Sequence, residues 1–234
     1  MATLKNGIFG GVSGKVGNTI YYMLNGKQMA RKVGRTAKSP TSAQLANRQA
    51  MKVTIDFLRP LSAIIRTGFG LEAERRNIYP QNAAVGYNKS CAIKGQYPNL
   101  EMDYEKVLVS TGNMLKLYDP GATWSGNAED GYSLWFNWDV GMEDREWPRC
   151  NDVVLLLAYF PEVALPEEGE NREGFLHAEA CIKTDGARRK EGQDVLEIPA
   201  HLAGRPMEVY IAVVSENGRK IADSQYLGRM MAGS

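Results

Sequence analysis

The stretch that decides the fold is VGNTIYYMLNGKQMARKV, residues Val16 to Val33. Asn25-Gly26 separates two strand-like runs, and this dipeptide favours a two-residue type I′ turn because both residues tolerate positive φ. The turn predicts a hairpin with the pairs Leu24–Lys27, Tyr22–Met29 and Ile20–Arg31. Ile20, Tyr22, Leu24 and Met29 then share one face, and Thr19, Tyr21, Met23 and Lys32 share the other. Since a lone two-stranded hairpin is marginally stable in water, this one must pack on something else.

Upstream of the hairpin, the chain is rich in glycine, which is typical of bends and of close backbone approach. Gly14-Lys15 resembles the end of the phosphate-binding loop G-x-x-x-x-G-K-[ST]. Phe9 stands where that motif requires glycine, however, and Val16 stands where it requires Ser or Thr. We therefore interpret the opening as a glycine-rich strand and not as a nucleotide site.

Downstream, the segment SPTSAQLANRQAMKVTIDFLRPL predicts a helix. Thr41 and Gln44 have the spacing of a capping box. The apolar stripe of this helix consists of Ala43, Ala46, Ala50, Val53, Phe57, Leu61 and Ile64. Pro60 should end or kink the helix, and residues 80–95 predict a second short helix that begins at Pro80.

From about Lys106 onward, the pattern changes to short strands separated by turn residues. In YSLWFNWDV (132–140) apolar and polar residues alternate, whereas DVVLLLAYF (152–160) is apolar on both faces and should be a central strand. The strands KVLVS (106–110) and NMLKLY (113–118) belong to the same predicted series. We expect an α+β, mainly β protein, with a basic hairpin-helix module over 1–100 and an immunoglobulin-like antiparallel β-sandwich over 105–230.

The charge distribution is asymmetric. Residues 1–60 contain ten basic residues and a single acidic one, Asp56, which gives this part a net charge of +9. The whole chain is +1, so the remainder carries −8. Such a split predicts either an anionic partner, such as nucleic acid, or a basic surface that docks on an acidic surface of its own or a neighbouring subunit.

Residues that would mark an enzyme do not form a recognisable pattern. His177 and His201 have no Cys or carboxylate at metal-ligand spacing, and no G-x-S-x-G nucleophile motif occurs. Two clusters of acidic residues, at 143–146 and 167–170, are interpreted as solvated loops. We therefore predict no enzymatic activity, no metal and no cofactor.

Three features of the sequence bear on where the protein resides in the cell. Three widely spaced cysteines, Cys91, Cys150 and Cys181, do not suggest a disulfide framework and fit a reducing environment. No apolar run approaches the roughly 20 residues that span a bilayer, and the first residues lack the features of a cleaved signal peptide. We expect a protein that is cytoplasmic or packaged in an assembly.

The four tryptophans, Trp124, Trp135, Trp138 and Trp147, lie in one region of the sequence. Alternation in the predicted strand turns Trp138 into the core and leaves Trp135 on the opposite face. Trp135 and Trp147 are therefore the candidates for an exposed aromatic platform that binds a sugar or a partner.

The chain as a whole resembles a family of domain-of-unknown-function proteins from Bacteroidota. The resemblance rests on SGKVGN (13–18), PTSAQLANRQ (40–49), YNKSCAIKGQYPNLEMDYEKVLVSTGNM (87–114) and VYIAVVSENGRKIADSQYL (209–227). It implies no activity and no catalytic residues. The fragment P-T-x-A-Q-L-x-x-R is also similar to segments of phage virion proteins.

Three functional hypotheses follow. The first is a non-enzymatic structural or assembly protein that self-associates as a homo-oligomer or docks in a larger, phage-like or surface assembly. The second is a nucleic-acid-binding protein that uses the basic N-terminal face, and the third is a glycan-binding sandwich that uses exposed tryptophans. The candidate interaction residues are Lys15, Tyr21, Arg31, Lys32, Arg35, Trp135 and Trp147.

Overall fold

The computed structural model of the chain describes residues 2–4, 10–24, 26–34, 39–127, 131–164 and 175–231. The strands within these ranges are β1 (Ala2–Leu4), β2 (Val12–Val16), β3 (Thr19–Leu24), β4 (Lys27–Lys32), β5 (Ile93–Gln96), β6 (Asn99–Met102), β7 (Tyr118–Asn127), β8 (Gly131–Asp139), β9 (Val153–Phe160), β10 (Val163–Ala164), β11 (Phe175–Leu176), β12 (Glu179–Lys183), β13 (Gln193–Ile198), β14 (Pro206–Val214) and β15 (Gln225–Met231). The α-helices are α1 (Ser42–Leu58), α2 (Ser62–Gly68), α3 (Gly70–Arg76) and α4 (Pro80–Cys91).

The chain forms two compact units, Met1–Ser42 and Ala43–Ser234. The sequence predicted a division between 100 and 105 instead. The contacts divide the chain earlier because the apolar faces of α1–α4 pack against strands of the second unit and share a core with them. The helices thus group with the sandwich and not with the hairpin.

The first unit contains a four-stranded antiparallel sheet with the order β1-β2-β3-β4. The predicted hairpin is confirmed as its β3–β4 pair, with the predicted partners Leu24–Lys27, Tyr22–Met29 and Ile20–Arg31. Gly26 has φ +75°, a left-handed conformation that glycine adopts without steric cost. Asn25, the other turn residue, lies outside the described residues.

The second unit contains the predicted antiparallel sandwich. A sheet with the order β12-β9-β14-β15 packs against a sheet with the order β13-β8-β7. Relative to a constant-type immunoglobulin domain, the fourth sandwich strand, β12, pairs with the third strand, β9, and not with the fifth, β13. Separate short pairs, β5–β6 and β10–β11, complete the strands that are described.

Strands β9 and β14 are covered on both faces. On β9, Val154, Leu156 and Phe160 point into the core between the two sheets, while Leu155 and Leu157 point into a second core beneath the helices. The result is three layers: helices, four-stranded sheet and three-stranded sheet. This arrangement explains why DVVLLLAYF shows no apolar–polar alternation.

The region between α4 and β7 differs from the prediction. KVLVS was expected to be a strand, but residues 107–110 form no ladder, although Val107 and Val109 are buried. Side chains bind their backbone instead: the buried Asn88 accepts from Leu108 N at 3.0 Å and donates to Leu108 O at 2.9 Å. Likewise, Val109 N donates to Ser224 Oγ at 3.0 Å. Side chains from other segments thus satisfy these backbone groups of Leu108 and Val109 in place of a neighbouring strand, which the local sequence could not indicate.

Two further differences concern the start of β7. Within NMLKLY, only Tyr118 belongs to a strand, and Asn113 makes an isolated bridge to Ala222. Asp119-Pro120-Gly121 has the composition of a turn and is among the residues expected to separate strands, but it lies inside β7 as a register shift between Tyr118 and Gly121. Asp119 has φ +41°, which identifies the irregular residue of this bulge.

Candidate functional site

The register of the N-terminal sheet places the predicted cationic residues on both of its faces. Lys15 pairs with Ile20, and Ile20 pairs with Arg31, so the three residues form a row across β2, β3 and β4 on one face. Tyr21 and Lys32 belong to the opposite face, because they are offset by one residue from Ile20 and Arg31. The structure therefore brings Lys15 and Arg31 together and separates them from Tyr21 and Lys32.

Apolar side chains accompany the cations on both faces. Leu24 is 50% exposed on the face of Lys15 and Arg31, whereas Val16 and Met23 are 53% and 55% exposed on the other. Among residues 10–24 and 26–34, none is buried. A sheet normally buries at least one face, and the side chains described for β2–β4 provide no buried face.

The charge of this unit is of one sign. Residues 1–42 contain seven basic and no acidic residues, and the remaining residues carry a net charge of −6 because the whole chain is +1. Lys15, Arg31 and Lys32 are all exposed. Arg35, the other predicted interaction residue of this region, lies outside the described residues.

The tryptophans take the predicted sides of the sandwich. Trp138 is buried and donates its indole N–H to Arg189 O at 2.7 Å, and Trp124 stacks on Tyr132. Trp135 is 45% exposed on the outer face of the three-stranded sheet, and Trp147 is 80% exposed in the loop that follows β8. Trp147 lines a cavity whose lining does not include Trp135, so this cavity engages only one of the two exposed tryptophans.

The cavity beside Trp147 has a volume of about 520 Å³. Three chain segments line it: residues 113–115, residues 147–152, and the turn between β14 and β15 at 215–220. Arg189 adds its side chain from a fourth segment. The cavity thus lies within the second unit, where the β14–β15 turn meets the loops that precede β7 and β9.

Arg189 is a buried cation at the inner wall of this cavity. Its guanidinium lies 3.3 Å from Asp144 Oδ1 and 3.4 Å from Asp152 Oδ2, and it donates to Leu115 O at 2.6 Å. Burial raises the pKa of Asp152, and the positive charge of Arg189 partly offsets this effect. The cluster therefore ties the 113–117 segment, the loop before β9 and the loop before β13 to one another.

Comparison with known protein families gives a match over most of the chain. A model of the family of unknown function DUF6266 matches residues 11–158 and 172–228. The chain belongs to this family. No curated protein and no solved structure matches it.

The DUF6266 match begins one residue before β2 and ends within β15. It therefore includes β2–β4 of the N-terminal sheet, the helices and most of the sandwich, and it leaves out β1. The sequence resemblance to a family of unknown function is confirmed at that level.

The histidines of this DUF6266 chain take part in polar contacts along the sandwich edge. His201 Nε2 lies 3.0 Å from Glu179 Oε2, and this hydrogen bond is the main cause of a lowered pKa at Glu179. The carbonyl of His177 accepts from Arg205 at 2.9 Å. Across the described ranges, no group of three His, Cys, Asp or Glu side chains is placed to hold a metal ion.

Sequence reasoning missed Arg189 and the cavity residues Arg219 and Lys220. Arg189 is the middle residue of the basic run 188–190, and it is fully buried. Arg219 and Lys220 follow Asn217-Gly218, a dipeptide whose sequence signal is that of a hairpin turn and carries no indication of a cavity. Among the described helices, none is long and apolar enough to cross a membrane.

Proposed function

We propose that this chain is a non-enzymatic assembly protein that associates with copies of itself through its N-terminal sheet. The observation that carries the proposal is the absence of any buried residue among 10–24 and 26–34. A four-stranded sheet with exposed Leu24, Met23 and Val16 gains stability when a partner surface removes these side chains from water.

Charge supports a second copy as the partner. The first 42 residues contain seven cations and no acid, whereas the remaining residues carry a net charge of −6. The basic unit of one copy therefore complements the acidic unit of another, and complementary charge steers such encounters. Contacts between unlike surfaces extend into rings or filaments, as expected of a structural component.

The sequence resemblances support the same class of function. The segment 40–48 is similar to segments of phage virion proteins, and the chain resembles proteins from Bacteroidota. We infer a role as a repeated subunit in a virion-like or surface assembly. Nucleic acid is disfavoured because the net charge of +1 weakens attraction beyond a Debye length of about 10 Å at 0.1 M salt.

Light scattering coupled to size-exclusion chromatography, at low and high salt, tests the proposal. We expect oligomers that dissociate as salt rises, because screening weakens contacts between opposite charges. The double variant Lys15→Glu/Arg31→Glu, which reverses the paired cations of one face, should shift the protein toward monomers.

The matched control is Lys52→Glu/Arg66→Glu, which makes the same charge change at exposed helical positions of the second unit. It should leave association intact, since it adds negative charge to the unit that is already acidic. A monomeric wild-type protein that binds random duplex DNA with sub-micromolar affinity, and loses that binding in Lys15→Glu/Arg31→Glu, would favour the nucleic-acid hypothesis instead.

A further inference from the structure

The cavity beside Trp147 combines a flat aromatic surface with two cations that form no ion pair among the described residues, and all of its lining residues belong to the second unit. We propose that it binds an acidic sugar, that is, a pyranose ring that carries a carboxylate. The volume of about 520 Å³ lies in the range of small-ligand sites, which is roughly 300–1,000 Å³.

The aromatic part of the site is Trp147. Its side chain is 80% exposed, which is unusual for the largest apolar side chain in a protein. An indole ring presents a flat apolar face, and the C–H face of a pyranose ring can pack on it while the sugar hydroxyls stay in water or bind polar groups. Trp147 therefore supplies the stacking surface of the proposed site.

The charges around the cavity leave an excess of cations. Asp152 lies against Arg189, and Glu216 accepts from Asn151 at 3.3 Å. Arg149 is held by Glu143 at 2.6 Å. Asp152 and Arg149 are thus paired within the protein, whereas Glu216 keeps its negative charge because Asn151 is a neutral amide.

Arg219 and Lys220 are different. Across the described ranges, neither side chain forms an ion pair with a carboxylate, although both line the cavity. A guanidinium and an ammonium that belong to the lining of one cavity favour a carboxylate, which can accept charge-assisted hydrogen bonds from both. Arg219 and Lys220 together carry one positive charge more than Glu216 cancels, which matches a monoanion next to the β14–β15 turn.

The turn that carries these cations is held in place by its own hydrogen bonds. Lys220 N donates to Ser215 Oγ at 2.9 Å, and Arg219 N donates to Asn217 Oδ1 at 3.0 Å. On the opposite wall, Arg189 fixes residues 115 and 116 through their carbonyls. Both walls are thus ordered before a ligand arrives, which lowers the entropy that binding would cost.

The test uses the full chain and three probes: a glucuronate oligosaccharide, the matching neutral glucose oligosaccharide, and sodium acetate. Tryptophan fluorescence and calorimetry measure binding. We expect saturable binding of the glucuronate probe, with at least about tenfold weaker binding of the neutral sugar and of acetate. Trp147→Ala and Arg219→Ala/Lys220→Ala should each weaken glucuronate binding by at least about tenfold.

The matched control is Trp135→Ala, which removes the other exposed tryptophan from a surface outside the cavity and should leave binding unchanged. Because Trp147, Arg219 and Lys220 are surface residues, unchanged thermal unfolding should verify that their variants remain folded. Absence of saturable glucuronate binding up to about 10 mM would overturn the proposal. Equal affinity for the neutral probe, or an equal loss in Trp135→Ala, would overturn it as well.

Discussion

The N-terminal sheet and the β9–β14 pair are both antiparallel strands rich in apolar residues, yet their environments are opposite. Strands β9 and β14 lie between two cores, and nearly all of their residues are buried. In the N-terminal sheet, β4 is exposed along its whole length and β3 is nowhere buried. The same local propensity for strands thus occurs once with two apolar neighbours and once with no buried residue.

This difference teaches that strand propensity and stability arise from separate causes. The Asn25-Gly26 turn and alternating side chains specify the register of a hairpin, but only burial provides the free energy that keeps a sheet folded. Unit 43–234 supplies this burial from its own helices and sheets. Among the residues of unit 1–42 whose burial is described, none is buried, and this is the basis of the proposed self-association.

The largest loss of unfolding free energy is expected when the buried cation Arg189 is removed. Arg189→Met should lower the free energy of unfolding by about 3–5 kcal/mol, because Asp144 and Asp152 then stay buried without their cation. The matched change in the N-terminal sheet, Arg31→Met, should alter it by less than about 0.5 kcal/mol, since Arg31 is exposed. Chemical denaturation at pH 7 measures both.

The pH dependence of the Arg189→Met variant provides a check on the cause. Arg189 lowers the pKa of Asp152 against the opposing effect of burial, so its loss should raise that pKa further. When the pKa of a carboxyl is higher in the folded than in the unfolded protein, the free energy of unfolding falls as pH rises from the unfolded pKa to the folded pKa. The deficit relative to wild type should therefore shrink as pH falls from 7 toward 4, and a deficit independent of pH would contradict this electrostatic origin.

A somewhat smaller loss of unfolding free energy is expected when a leucine of β9 is shortened in either of the two cores that β9 separates. Leu156→Ala opens a cavity between the sheets, and Leu157→Ala opens one beneath the helices. Each should cost about 2–5 kcal/mol by chemical denaturation. In a two-layer sandwich one of these positions would face solvent, so a loss below about 1 kcal/mol for Leu157→Ala would contradict the third, helical layer.

The elements that the sequence predicted share a physical property: their signals are local. The Asn25-Gly26 turn specifies the β3–β4 pairing, Pro80 begins α4, and the doubly apolar β9 is central. The failures depend on distant partners. Within residues 107–110, the backbone of Leu108 binds Asn88 and that of Val109 binds Ser224, and both partners lie far away in the sequence.

The same distinction holds for the candidate sites. Alternation along β8 predicted that Trp138 is buried and Trp135 exposed, and both predictions are confirmed. The cavity beside Trp147 could not be predicted, because it is assembled from four segments separated by many residues. The burial of Arg189 was hidden for the same reason, since Asp144 and Asp152 approach it only through the tertiary fold.

A still smaller loss of stability is expected from a substitution in the β3–β4 turn, and it should be confined to the N-terminal sheet. Gly26→Val should destabilise the N-terminal sheet by about 1–2 kcal/mol, because φ +75° forces a β-branched residue into the left-handed region. Gly34→Val is the matched control, since Gly34 has no positive φ and no atom within 4 Å of an added Cβ. Hydrogen exchange of the β3 and β4 amides should accelerate in the first variant and stay unchanged in the second. Unaltered exchange in Gly26→Val would contradict the tight turn.

The smallest effect on stability should come from the exposed apolar residues of the N-terminal sheet. Leu24→Ala and Val16→Ala should each change the unfolding of the monomer by less than about 0.5 kcal/mol, because about half of each side chain is already in water.

Association should respond more strongly and unequally, since Leu24 and Val16 lie on opposite faces. If the face of Lys15 and Arg31 docks on a second copy, Leu24→Ala should shift light-scattering profiles toward monomers, whereas Val16→Ala should not. The reverse pattern would assign docking to the face of Tyr21 and Lys32. Loss of association in neither variant would show that the apolar residues of this sheet do not contact another copy, and the proposed assembly surface would then be wrong.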